Sequence, residues 1–305
     1  TGTSNAIVGG NASLSTLTVN QSTVTTFSGN LGGAGVNENN LNFVKSGAGN
    51  LVLTGTSTYI GSTTVSGGKL YIDAAGALPS TSAGLTVADG AELALRGTSN
   101  LANVVYGFSG TGNKITIGSS GTALLGFGLD GAYNTQLRLL TGQTLTVAAG
   151  ATLQTAVYVN SAPNAGQQYV LIDGADAGSL HAGTGAFDLN PVVFNGGSFS
   201  YTLTNVTLGG TVDRWVLTPT AQAAANDVWW RGDLTGIGTG VWSASTTSGL
   251  GFPTNWDNSQ SGGVDAIVPP DSGSIVHFSA TGAANFATTL GANLTIQELI
   301  FHAGA

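Results

Sequence analysis

Apolar and polar residues alternate along this chain in short runs. Ser15–Val19 and Leu51–Thr54 are two examples, and a period of two is typical of β-strands with one buried face. Clusters of Gly, Asn, Asp and Ser separate the runs, as turns do. Only Ala221–Asn226 and Thr135–Leu140 favour a helix, and the second is equally compatible with a strand. The pattern therefore predicts an all-β fold built from short strands.

One segment recurs within the chain. Leu85–Leu93 reads LTVADGAEL, and Leu145–Leu153 reads LTVAAGATL. Thr64–Leu70 is a looser relative, and Asn293–Leu299 keeps only the apolar spacing. Such repetition is typical of solenoids, in which each coil stacks on the one before it and small residues form the tight corners. We therefore expect a parallel β-solenoid with about 20 residues in each coil.

Composition narrows the range of partners. Seven Lys and Arg face 15 Asp and Glu, for a net charge of −8, so the chain offers no basic surface for nucleic acid or anionic lipid. The absence of cysteine excludes disulfides and thiolate metal sites. No apolar run is long enough for a transmembrane helix. Because 41% of the residues are hydrophobic, the chain has enough apolar surface to fold.

The stretch from Lys45 to Leu70 carries the pattern K-x-G-x-G-x-L-x-L-x-G, followed by Tyr59, Gly61 and Gly68. It closely resembles the passenger-associated β-strand repeat of bacterial autotransporters. A weaker resemblance to the W-G-W-NW module between such repeats covers residues 227–301, through Trp229, Gly232, Trp242, Asn255 and Trp256. The resemblance implies a right-handed parallel β-helix that is secreted to the cell surface. We expect a passenger-type chain without the translocator.

Three zones follow from these patterns. Residues 1–157 carry the cleanest repeats and are predicted to form a solenoid with the passenger-associated repeat. Residues 158–220 hold longer apolar and aromatic strands and are expected to continue it. Residues 221–305 hold four of the five tryptophans and are predicted to form the W-G-W-NW module leading into further solenoid, after a linker at 221–225.

Candidate catalytic and metal-binding residues are few. None of His181, His277 and His302 has a partner at metal-ligand spacing. Gly126–Gly131 matches G-x-G-x-x-G, but it has no βαβ context, and we interpret it as a corner turn. We therefore predict no catalytic, cofactor-binding or metal-binding residues and no cofactor. Calcium at scattered Asp and Asn turns stays open as an alternative that the sequence does not locate.

Two further functions are alternatives. The tryptophans of the last zone either fill a wide coil or stack on sugar faces. In the second case the zone is a glycan-binding module that binds surface glycans of a host or neighbouring cell. The residues expected to contact the glycan are Trp229, Trp230, Trp242 and Trp256. The other alternative is a polysaccharide-cleaving β-helix enzyme. Such enzymes place Arg or Lys beside the base, whereas Lys and Arg are scattered singly here.

Both ends of the predicted solenoid are expected to be open coils. Unpaired strand edges recruit another strand unless they are blocked. We therefore predict a non-enzymatic structural or adhesive protein of the bacterial surface. Its rod is expected to join equivalent modules end to end, either covalently in a giant chain or non-covalently, head to tail, in a fibre. The residues expected to meet are Leu294, Ile296, Leu299 and Phe301 at one end, and Leu14, Leu17 and Val19 at the other.

Overall fold

The computed structural model describes residues 5–97, 104–180, 183–194, 199–208, 212–221, 227–232, 240–242, 244–246, 254–261, 266, 269–278, 282–284, 286–291 and 293–302. Within these ranges the chain forms 26 strands and no helix, so no helix there could cross a membrane. The all-β prediction is confirmed, and Thr135–Leu140 belongs to a strand. His181 and most of the predicted linker at 221–225 lie outside the described residues.

The first sixteen strands cover residues 6–161. They are β1 (Ala6–Ile7), β2 (Ser15–Asn20), β3 (Thr25–Phe27), β4 (Asn30–Leu31), β5 (Leu41–Ser46), β6 (Asn50–Leu53), β7 (Thr63–Val65), β8 (Lys69–Ile72), β9 (Leu85–Val87), β10 (Glu92–Leu95), β11 (Val104–Tyr106), β12 (Gly112–Ile117), β13 (Thr122–Asp130), β14 (Tyr133–Leu139), β15 (Gln143–Val147) and β16 (Thr152–Ser161).

Ten more strands follow. They are β17 (Tyr169–Gly174), β18 (Ala186–Phe187), β19 (Val192–Phe194), β20 (Phe199–Leu208), β21 (Val212–Ala221), β22 (Asp227–Trp230), β23 (Ala244–Thr246), β24 (Trp256–Asp257), β25 (Ile275–Phe278) and β26 (Glu298–Phe301).

Successive passes of the chain add strands to the same two sheets. A six-stranded sheet has the order β15-β12-β9-β7-β5-β2, and a second sheet contains the run β16-β13-β10-β8-β6-β3. Every pairing within these two runs is parallel. We call residues 15–161 the parallel region.

The register shows how much chain one pass uses. Paired residues in the six-stranded sheet are Ser15 with Leu41, Phe43 with Thr63, Thr63 with Leu85, Leu85 with Ile115, and Ile115 with Leu145. A pass therefore takes roughly 20 to 30 residues, within the usual range for structural repeats. The expected length of about 20 residues holds only for the shortest passes, because the passes that reach β12 and β15 contain the additional strands β11 and β14.

Buried ladders run across both sheets. In one sheet Leu51, Leu70, Leu93 and Leu125 are partners in register, and each is at most 4% exposed. In the other sheet Val65, Val87, Ile117 and Val147 form a similar ladder. Both ladders belong to one core cluster. The alternation seen in the sequence thus places every second side chain between the sheets.

Antiparallel pairing enters after β13. Strands β13 and β14 form a hairpin, β17 pairs antiparallel with β21, and β20 and β21 pair over ten residues each. Within 158–220, parallel stacking is seen for β17 on β14 and for β18 and β19 on β16. The predicted continuation of one parallel stack therefore does not describe β20 and β21, where a long hairpin needs no crossover. The zone boundaries themselves stay predictions.

A separate four-stranded sheet, with the order β24-β22-β25-β26, lies between residues 227 and 301. Its pairings β22–β25 and β25–β26 are parallel. This part of the chain has its own core cluster, which contains Trp230, Trp242, Trp256 and Phe278. We call residues 227–302 the aromatic region.

Candidate functional site

The core of the parallel region reaches solvent at its first strands. Among the described residues, β2 and β3 are the outermost strands of their sheets. Leu17, Val19 and Phe27 are only half-buried, although they pack against the core. Together with Phe43 and Leu51 they line a cavity of about 230 Å³. Another apolar layer would fit over this edge, because the present one leaves core side chains uncovered.

The other predicted edge is strand β26. It pairs with β25 only, within the part of the chain that the structure describes. Leu299 and Phe301 are exposed, Phe301 by 68% of its surface, while Leu294 and Ile296 pack against the aromatic core. At the first edge Leu14 is exposed, whereas Leu17 and Val19 are half-buried. The predicted residues thus lie at two unpaired strand edges, although Leu294 and Ile296 face inward.

A ladder of aromatic rings ends at the β26 edge. Trp230 on β22 stacks on Phe278 of β25, with ring centroids 5.7 Å apart and planes at 22°. Phe278 then stacks on Phe301 of β26, at 5.3 Å and 21°. Parallel strands in register repeat side chains directly above one another, which favours such stacks. The outer face of Phe301 is the open end of the ladder.

Three of the four candidate tryptophans are packing residues. Trp230 and Trp256 are fully buried, Trp242 is 8% exposed, and their rings contact one another at centroid distances of 4.9 to 6.2 Å. A ring with no free face cannot stack on a sugar. Their burial therefore argues against glycan contact by these three. Trp229 is half-buried, and one of its faces is covered by His277.

Two histidines and an aspartate meet in the aromatic region. His277 on β25 hydrogen-bonds through Nε2 to Oδ1 of Asp227 at 3.0 Å. Its Nδ1 lies 2.9 Å from Nε2 of His302. Sequence spacing did not reveal this chain of contacts, because the three residues lie on different parallel strands or just beyond one. Strand register is the signal that brings them together.

The outer face of the second parallel sheet carries a charged and aromatic cluster that the sequence did not predict. Lys69 forms an ion pair with Glu92 at 2.9 Å, and the Tyr158 hydroxyl hydrogen-bonds to the same carboxylate. Glu92 is only 2% exposed. Lys69, Glu92 and Tyr158 lie far apart in sequence, but β8, β10, β13 and β16 stack them. Lys69, which is not adjacent to another charge in the sequence, therefore has a carboxylate partner in space.

Arg96 completes this cluster. Its guanidinium makes two hydrogen bonds to Asp73, at 2.9 and 2.7 Å, and lies 3.8 Å from the centroid of the Tyr71 ring. Tyr158 contacts Tyr71 edge to face and stacks on Phe194. Since each charge is engaged with a neighbour, the arrangement holds strands β8, β10, β16 and β19 together.

Close packing around strand β13 explains two glycines of the G-x-G-x-x-G match. Gly126 lies within β13, beneath the Tyr158 ring, and a Cβ atom at Gly126 would come within 2.6 Å of Ala94 and 2.9 Å of that ring. A Cβ atom at Gly128 would clash with the backbone of Arg96. The expected corner turn is therefore wrong for these two glycines, which lie in a strand, and it fits only Gly131, whose φ is 58°.

Burial and contact with Glu92 change the pKa values of two groups in the cluster. Burial lowers the pKa of Lys69, but the neighbouring Glu92 carboxylate outweighs it, so the pKa is raised. Burial and the same carboxylate raise the pKa of the Tyr158 hydroxyl well above its ordinary range. Both shifts favour the protonated states that make the contacts with Glu92. Lys69 and Tyr158 thus stay protonated around neutral pH.

The lysine of the repeat motif, Lys45, is hydrogen-bonded to backbone carbonyl groups inside the fold. Lys45 occupies the position of a valine in the ladder of the six-stranded sheet, opposite Val19 and Val65, and is fully buried. Its ammonium donates to the carbonyl oxygens of Ser46, Gly47 and Gly67 at 2.7 to 3.1 Å. The motif therefore pairs a lysine with a glycine-bearing corner whose carbonyls the lysine satisfies.

Other concave surfaces add little chemistry. A cavity of about 520 Å³ runs over the loops beside β7 and β9 and is lined by residues such as Asn39, Thr58, Thr81 and Tyr106, none of them charged. Within the described residues no three His, Cys, Asp or Glu side chains lie together in a way that could hold a metal ion.

Comparison with known proteins identifies the repeat motif that begins at Lys45. No curated protein matches the chain. Residues 43–72 match the family model of the passenger-associated-transport-repeat, the segment in which Lys45 and its glycine corner lie. The resemblance read from Lys45–Leu70 is therefore confirmed: this chain carries a passenger-associated-transport-repeat.

Proposed function

We propose that this chain is a right-handed β-solenoid of the autotransporter-passenger type, secreted to the bacterial surface. There it serves as a non-enzymatic structural or adhesive element and joins a second copy end to end. The matched repeat supports the passenger type. Two parallel sheets fed by successive passes of chain support the solenoid form. The hand is the one that the repeat family implies.

The open strand edges carry the end-to-end proposal. At β2 and β3 apolar side chains leave a cavity of about 230 Å³ into the core. At β26 the aromatic ladder ends in a phenylalanine that is 68% exposed. An exposed strand edge with apolar side chains recruits another strand.

A second copy is the occupant that suits both edges. Among the described residues no parallel strand precedes the first edge and none follows the last, so each edge offers what the other needs. Such a head-to-tail contact repeats without closing on itself and produces filaments. The side chains that would meet are apolar on both sides, with Leu17 and Val19 at one edge and Leu299 and Phe301 at the other.

Blocking one edge at a time tests the proposal. Leu17→Lys places a charge on the first edge, and Phe301→Lys places one on the last, and edge lysines oppose strand addition. We expect sedimentation velocity to show oligomers of the unmodified chain that grow with concentration, and monomers of each variant. A mixture of the two variants should form heterodimers and nothing larger, because one intact edge of each kind remains.

Controls make the outcome decisive. Val36→Lys changes a valine that is 90% exposed in a loop and should leave assembly unchanged, while circular dichroism verifies that each variant keeps its strands. A monomeric unmodified chain at all concentrations would overturn the end-to-end proposal. Equal loss of assembly in the Val36 variant would do the same.

A further inference from the structure

The contact between His277 and His302 joins the last two strands of the aromatic region. His277 is on β25, and His302 directly follows β26. Their ring planes differ by 23° and their centroids are 5.2 Å apart, while Nδ1 of His277 lies 2.9 Å from Nε2 of His302. The centroid separation equals the nitrogen–nitrogen distance plus the two ring radii. The rings therefore meet edge to edge, with the two nitrogens facing head on.

Hydrogen-bond counting assigns the protons of this contact. The Asp227 carboxylate accepts from Nε2 of His277 at 3.0 Å, so Nε2 carries a hydrogen. In a neutral imidazole the other nitrogen is then bare. Nδ1 of His277 must therefore accept the N–H of His302 Nε2. One added proton can bind Nδ1 of His302 without disturbing either hydrogen bond.

A second added proton cannot bind without breaking a hydrogen bond of the pair. It would have to bind Nδ1 of His277, which would set two N–H groups face to face at the present separation of 2.9 Å. Two imidazolium ions in contact also repel each other. With β26 detached, each histidine could take its own proton. Detachment of β26 is therefore linked to the uptake of one extra proton.

Within the described residues, no second counter-charge is in contact with the pair. Trp229 of β22 covers one face of His277, with the ring centroids 4.5 Å apart. Asp227 of β22 is the acidic group hydrogen-bonded to His277. Glu298 of β26 is paired with Ile275, two residues before His277. Arg231, which follows β22, is engaged by Asp257.

We propose that the His277–His302 contact is an acid-released latch that holds edge strand β26 on β25. At neutral pH the latch is closed and Phe301 stays at the end of its ladder. As the pH falls, the ratio of docked to released β26 drops by up to about tenfold for each pH unit, because one more proton is bound after release. The latch acts within one chain, and its effect on assembly rests on the proposed end-to-end contact.

Hydrogen exchange of the unassembled chain tests the latch directly. Leu17→Lys keeps the chain monomeric if the end-to-end proposal holds and leaves β26 unchanged, and any monomeric fraction of the unmodified chain serves otherwise. After correction for the intrinsic exchange rate, protection of the amides at Leu299–His302 should fall about tenfold between pH 6 and pH 5. Protection at β22, whose strand pairs on the other side of β25, should fall by less.

His302→Gln is the matched control, because its amide can donate N–H to a neutral His277 and can turn to accept through its oxygen from a protonated one, so the docked strand tolerates the extra proton. Its β26 protection should change less than about twofold over the same pH range. An equal fall in this variant, or no fall in the parent chain, overturns the latch. Assembly that fails at every pH while β26 protection still follows pH overturns the end-to-end proposal and leaves the latch standing.

Discussion

The parallel region and the aromatic region use the same device, a ladder of side chains across parallel strands, with side chains of different size. In the parallel region leucine and valine ladders from two sheets close one core. In the aromatic region stacked Trp230, Phe278 and Phe301 build a core on one four-stranded sheet. Large rings bury enough area for few strands to suffice, whereas aliphatic ladders need two facing sheets.

The regions also differ in how they treat charge. The parallel region stacks its few charged groups into pairs such as Lys69–Glu92 and Arg96–Asp73, and it buries Lys45 against carbonyl oxygens. In the aromatic region the histidine contact links the last two strands. All seven tyrosines precede residue 202. The two regions should therefore respond to opposite ends of the pH scale.

The largest expected effect comes from removing a large core side chain, which should lower the stability of its own region and leave that of the other region unchanged. Leu70→Ala removes a fully buried leucine from the parallel region and should cost about 2–5 kcal/mol there. Trp230→Ala should cost about 3–5 kcal/mol in the aromatic region. Denaturant unfolding followed by hydrogen exchange should show each change confined to its own region. Equal destabilisation of both regions by Leu70→Ala would mean that the two cores unfold as one.

Alkaline pH should weaken the parallel region selectively. Burial raises the pKa of Tyr59 and Tyr106, and burial together with the Glu92 carboxylate raises that of Tyr158. Their stabilising contribution is complete below about pH 10, the unfolded value, and is lost as pH rises toward the folded value. At pH 11 the loss approaches about 1.4 kcal/mol for each tyrosine.

The measurement is urea unfolding between pH 8 and pH 11, with exchange resolved by region. Lys45 acts in the opposite direction, because burial lowers its pKa, but it is one group against three. The aromatic region should keep its stability over this range. A loss of equal size in both regions would contradict the assignment to buried tyrosines.

A smaller effect is expected from the repeat lysine. Lys45→Met keeps the apolar stem in the valine ladder but leaves three carbonyl oxygens without their donor, which should cost about 2 kcal/mol. Lys114→Met is the matched control, since that ammonium makes one exposed hydrogen bond to Ala83, and it should cost about 0.5 kcal/mol or less. Chemical denaturation measures both, and equal costs would remove the structural role of Lys45.

The smallest effect should come from the glycine beneath Tyr158. Gly126→Ala crowds Ala94 and the tyrosine ring and should cost about 1 kcal/mol or somewhat more. At Gly107 the nearest atom to a new Cβ is 3.8 Å away, so Gly107→Ala should be near neutral. Thermal unfolding of the pair checks this, and a neutral Gly126→Ala would show that the ring moves aside freely.

Strand content and the passenger repeat were predictable because both depend on local pattern. The alternation of apolar and polar residues around Leu17 and Leu51 identifies strands through the two-residue period. The motif that begins at Lys45 is contiguous in the sequence and can therefore be recognised without the structure. The role of Gly126 was missed because it depends on Tyr158, a ring contributed by the next strand of the sheet. Local patterns carry no information about which strands become neighbours.

The same limit applies to the candidate sites. The exposure of Phe301 and the burial of Trp256 could not be separated by sequence, since both are aromatic residues in similar apolar surroundings. Register decided which ring closes a core and which ends a ladder. The contact of His277 with His302 has no counterpart in ligand spacing, because the two residues meet across strands.

By itself the sequence determined the all-β character, the strand period and the repeat, since these arise from the order of apolar, small and turn residues within a few positions. The tertiary structure alone decided which strands stack, and hence the Lys69–Glu92 pair, the Asp227–His277–His302 chain and the two exposed edges. The physical reason is that contacts between parallel strands join residues a whole pass apart. Their partners are set by register, which the complete fold selects.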